Sequence, residues 1–186
     1  MTSSDKNQPV HISNSTLNKL RAAVLGANDG IVSTSSVVMG VAGATSSKSA
    51  IFTAGLAALV AGALSMAVGE YVSVGSQRDA EEVRARRLKE TTGDDLSSPS
   101  HAAIASFLAF SVGGAVPFLA VILAPGSTSI PVTVVAVFIA LLITGYLSAT
   151  VGGASRIRAM SRVIIGGLLA MAITYYIGTL FGGIVG

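Results

Sequence analysis

Five apolar stretches, at about residues 20–43, 51–75, 101–123, 131–151 and 163–184, each supply about the twenty residues a helix needs to cross a ~30 Å hydrocarbon core. Inside lipid every backbone amide must find its partner within the protein, and a continuous helix does so segment by segment. The expected fold is therefore an all-α integral membrane protein with five transmembrane helices. A hydrophobic content of 51% against 11% charged residues is too apolar for an ordinary soluble domain. The 21 glycines suit helices whose backbones approach closely in a membrane. Cysteine is absent, which excludes disulfides, thiolate catalysis and Cys-based zinc or iron–sulfur sites.

The connections fix the expected organisation. Residues 1–18 form a polar tail, expected to be mobile, with no apolar core of a cleavable signal peptide. Residues 19–186 form one transmembrane domain. The second span runs without proline into QRDAEEVRARRLKE, so the helix is expected to project about 20 Å past the membrane, at 1.5 Å per residue. The segment TTGDDLSSPS then turns the chain, with Ser98 as N-cap and Pro99 at the first helical position. Eleven of the twelve basic residues fall on one side of this topology: Lys6, Lys19 and Arg21, then Arg78 through Lys89, then Arg156, Arg158 and Arg162. The other side holds Lys48. Positive-inside asymmetry makes the N-terminus, the 77–100 loop and the 155–162 loop cytoplasmic. The net charge of +3 thus reads as membrane topology and gives no nucleic-acid face.

Seven of the nine acids lie in the cytoplasmic segments; Asp29 and Glu70 lie inside spans. An ionised carboxylate in hydrocarbon needs a partner, a proton, a water-filled path or an ion. Antiparallel neighbours are expected to bring Asp29 and Glu70 to similar depth. Met66 is one turn from Glu70, i to i+4, on a face that Gly62 continues. Carboxylates with a thioether suit a divalent first-row metal such as Fe²⁺ better than Mg²⁺ or Ca²⁺. The same carboxylates take protons, a route to proton-coupled exchange. Gly26 and Gly30, a G-x-x-x-G around Asp29, permit close helix approach and movement, as does Gly62. The plain alternatives are Met66 as core filler, Glu70 paired with Arg78, and a structural role for Asp29. His101 reads as an interfacial residue at a helix start. Glu81 and Glu82 read as a solvated face pairing with Arg84 to Lys89, or as a cytoplasmic entry for metal.

AAVLGANDGIVSTSSVVMGVAGA, GALSMAVGEYVSVGSQRD, SPSHAAIASFLAFSVGGAVPFL and SRIRAMSRVIIGGLLAMAITYYIGTLFG, in that order, resemble the vacuolar iron transporter family from about Leu20 to Gly183. The resemblance implies a homodimer of five-helix subunits with the ion path at the dimer interface. It implies export of Fe²⁺, with Mn²⁺ as another substrate, from the cytosol in exchange for protons. By motif position Asp29 and Met66 correspond to the family's pore residues, and Glu70 lies in the same motif. Iron-transporting members insert a helical cytoplasmic domain rich in Glu and Met between spans two and three. Here Arg78 to Pro99 offers Glu81, Glu82, Glu90, Asp94 and Asp95 and no Met, so that domain is essentially missing.

The expected function is therefore divalent transition-metal transport, with metal and proton as partners, no resident cofactor and no enzymatic chemistry. No phosphate-binding G-x-x-x-x-G-K-[ST] loop is present. A passive metal channel and a non-transporting scaffold subunit of the same fold are the rivals. The membrane would be the plasma membrane in a bacterium and the vacuolar membrane in a eukaryote.

Overall fold

The structure is a computed structural model that describes residues 14–88 and 96–185. Five α-helices follow one another there: α1 (Asn14–Ala44), α2 (Lys48–Leu88), α3 (Pro99–Leu123), α4 (Ser129–Gly152) and α5 (Arg156–Val185). All five are long and apolar enough to span a bilayer. Their outward faces carry large exposed apolar side chains, such as Val68, Val112, Leu123 and Leu169. With lipid as the solvent, such faces need no protein cover.

The helices are longer than the apolar runs that announce them. α1 begins at Asn14, inside the stretch expected as tail, because Asn18 finds a buried partner in Ser97. Residues 1–13, and Lys89, Glu90, Asp94 and Asp95 of the second connection, lie outside the described residues. The helical projection of α2 is present as expected, ending at Leu88. α5 begins at Arg156, so Arg156, Arg158 and Arg162 stand on its first two turns rather than in a loop. The turn before it is short because Gly153, at φ 63°, takes the left-handed conformation that closes α4. Arg156 then lies over the Tyr146 ring at 5.0 Å, tying α5 to α4. Pro99 opens α3 as expected and Ser98 is extended, but the Ser98 hydroxyl makes no capping hydrogen bond; its carbonyl accepts from Ala102 N–H at 3.2 Å instead.

α1 runs through the middle of the bundle, touching all four other helices. Small residues let it. A Cβ on Gly26 would lie 2.6 Å from the Ser106 carbonyl oxygen, and one on Gly30 would collide with the Phe110 carbonyl. At the other end of α1, Gly178 and Gly182 of α5 sit directly on the backbone of Gly40 and Ala44. Without a hydrophobic drive between helices in lipid, such close van der Waals seams are what hold them. Ile31, Met39, Val137, Leu141 and Met171 form an apolar core between α1, α4 and α5.

Candidate functional site

Two polar features border α1, and Arg21 belongs to both. On the α2 side, Gly62, Met66 and Glu70 stack one turn apart. Gly62 receives the Phe110 ring, whose Cε1 would be 2.7 Å from a Cβ there. Glu70 is buried, at 6% exposure, and its Oε2 accepts a hydrogen bond from Arg21 Nη2 at 3.0 Å. Met66, between them, is half-buried. Arg21 therefore takes the part that local spacing offered to Arg78, which pairs with Glu82.

Beside it, a cavity of about 720 Å³ opens between α1, α4 and α5. Asp29 is the acid that lines it, with Asn28, Thr144, Ser148, Arg21 and Arg162 as its other polar side chains. Asn28 Oδ1 is buried without a hydrogen-bond partner among the described residues. Thr144 directs its hydroxyl to the Ala140 carbonyl at 3.0 Å. Ser33, on the Asp29 face, donates to the Asp29 carbonyl at 2.5 Å.

Val74, four residues past Glu70, clusters with Ala22 of α1, and Gly55 packs on Val38, so the antiparallel register sets Glu70 about level with positions 25–26 of α1. Asp29 lies about one turn further along α1, roughly 5 Å at 1.5 Å per residue. Among the described residues no three His, Asp or Glu side chains gather into a metal-binding group.

The acids at the far end of α2 are engaged. Glu81 accepts from the Ser97 backbone N–H at 2.9 Å and the Ser97 hydroxyl at 2.8 Å, and Gln77 donates to it at 2.9 Å. Asn18 and Gln77 also donate to the Ser97 hydroxyl, at 2.7 and 3.0 Å, so that oxygen is fully satisfied. This latch joins α1, the α2 projection and the entry to α3. Burial works to raise the Glu81 carboxyl, but the Ser97 and Gln77 hydrogen bonds, with Arg78 nearby, outweigh it and hold it below the usual range. Glu82 pairs with Arg86 at 3.9 Å, within the expected Arg84–Lys89 set, and more closely with Arg78 at 3.2 Å, outside it. His101 is exposed in the first turn of α3.

Sequence reasoning missed Arg21, Asn28, Thr144, Ser148 and Arg162. The i, i+4 pair Thr144 and Ser148 in the apolar fourth span was a usable signal. Nothing local linked it to α1.

The profile of the VIT family matches residues 20–97 and 88–179. The chain belongs to that family. It is 48% identical over 166 residues to vacuolar iron transporter homolog 4 of Arabidopsis thaliana, covering 88% of this chain and 84% of that protein. It is 48% identical to homolog 2 of the same plant, over 88% and 84% of the two chains. It is 46% identical to vacuolar iron transporter homolog 1 of Oryza sativa subsp. japonica, over 88% and 74%. In this VIT-family chain the cavity lined by Asp29 and the Arg21–Glu70 ion pair both border α1, within the matched region.

Proposed function

We propose that this protein moves divalent transition metal, Fe²⁺ and also Mn²⁺, out of the cytosol in exchange for protons. The observation that carries the reading is Asp29, a carboxylate within a membrane-spanning helix that opens on a cavity beside an unpartnered amide oxygen. An acid so placed calls for a cation or a proton. The relatives carry iron transport in their names, and the likeness extends over most of both chains.

In this reading Asp29 and Glu70 alternate between metal and proton, and Met66 biases the path toward softer ions than Mg²⁺. Gly26, Gly30 and Gly62 let the helices move against one another. A homodimer supplies a second set of ligands, since one subunit gathers no complete cluster among its described residues. The basic face is cytosolic by charge asymmetry. Glu81 holds the α2–α3 connection through Ser97, Glu82 pairs along α2 with Arg78 and Arg86, and the short 78–99 segment without Met takes no part in gathering metal.

Uptake of Fe²⁺ and Mn²⁺ into proteoliposomes, with and without a pH gradient, tests the reading. Gradient-driven uptake is the expected result. Uptake indifferent to the gradient would make the protein a channel, and none of either metal would leave a scaffold.

A further inference from the structure

The Arg21–Glu70 pair links α2 to the cavity beside α1. Arg21 bonds Glu70 on the α2 side and at the same time lines the cavity that holds Asp29. The partners are unequally placed: the Glu70 side chain is 6% exposed and that of Arg21 is 50% exposed. A carboxylate buried to that degree needs a cation beside it or a proton on it. The guanidinium has no such tie, because its long stem can carry the charge back to water. Arg21 therefore can leave Glu70 provided that another cation replaces it or the carboxyl takes a proton.

We propose that Arg21 is a tethered competitor at Glu70, and that divalent metal enters the path by displacing it. This deepens the transport reading and rests on it. Arginine stays charged at every physiological pH, so the exchange is one of cation for cation. A monovalent ion offers no charge advantage over the guanidinium it must displace. A divalent ion doubles the attraction to Glu70 and repels Arg21 outward, both in a region of low dielectric. Arg21 would thus lower apparent affinity for metal while discriminating against monovalent cations. Displaced, it would swing toward the cavity mouth, 12 Å or so short of Asp29 along the helix.

The test is Fe²⁺ uptake by proteoliposomes carrying wild type, Arg21→Gln, Arg21→Lys and the double variant Arg21→Gln/Glu70→Gln. Removing the competitor should lower the KM for Fe²⁺ about tenfold. Arg21→Lys, which keeps a cation with fewer hydrogen bonds, should fall between Arg21→Gln and wild type. It serves in place of Arg21→Gln should that variant fail to fold. The gain should vanish in the double variant, which has no carboxylate to liberate. Competition by K⁺ or Na⁺ should appear in Arg21→Gln and be absent in wild type. A merely structural Arg21 would lower the maximal rate or the yield and leave KM unchanged or raised, and that result overturns the proposal. Absence of wild-type uptake would instead overturn the transport reading, and this proposal with it.

Discussion

Arg21 Nη2 lies 3.0 Å from Glu70 Oε2, and this contact joins α1 to α2. Its two ends should respond unequally to neutralisation. Glu70→Gln removes a buried charge along with the bond and leaves a solvated guanidinium. Arg21→Gln leaves a carboxylate buried without its cation, so it should cost more, by roughly 1–3 kcal/mol. Thermal unfolding in detergent micelles reads the difference; equal losses would contradict it.

Gly30 and Gly69 should differ sharply. A Cβ on Gly30 meets the Phe110 carbonyl and lies 2.9 Å from the Gly114 amide nitrogen, backbone atoms that cannot yield. Gly30→Ala is expected to lose about 1–3 kcal/mol through overpacking of α1 on α3. Gly69 faces open space, so Gly69→Ala should be neutral or slightly stabilising. The same unfolding assay decides it.

The latch at Ser97 should loosen in acid. The Glu81 carboxyl is held below its ordinary value in the folded protein. Its contribution is therefore complete above the unfolded value and is lost as pH falls through the lowered folded one. Hydrogen exchange at the Ser97 amide, corrected for the intrinsic pH dependence, should lose protection in that acidic window. Glu81→Gln should show reduced protection at neutral pH and little further change on acidification.

The absence of native cysteine makes topology directly measurable. Single cysteines at Arg84 on the α2 projection and at Arg158 on α5 should react with an impermeant thiol reagent from the cytosolic side. Ser46, in the connection between α1 and α2, should react from the other side. Labelling of all three from one side would refute the five-span orientation.

Much of the fold was legible because the bilayer imposes a length rule that each apolar run satisfies on its own. The ends were less so. Polar turns of helix such as Asn14–Lys19 and Arg156–Arg162 are held by tertiary partners, Ser97 for Asn18 and the Tyr146 ring for Arg156, which no local pattern reveals. The site shows the same division. Asp29 and Glu70 stood out as acids inside apolar helices, whereas the Glu70 partner lies 49 positions away and the Thr144–Ser148 wall of the cavity more than 110. Which residues are unusual is a local property; which of them meet is set by helix packing.

Asp29→Asn tests the central claim most directly, since it changes one oxygen for an amide and keeps the volume of the cavity wall. Fe²⁺ uptake driven by a pH gradient should be strong in wild-type proteoliposomes and abolished in Asp29→Asn at equal incorporation and equal thermal stability. Uptake by the variant at the wild-type rate, with the same dependence on the gradient, would contradict a path through Asp29.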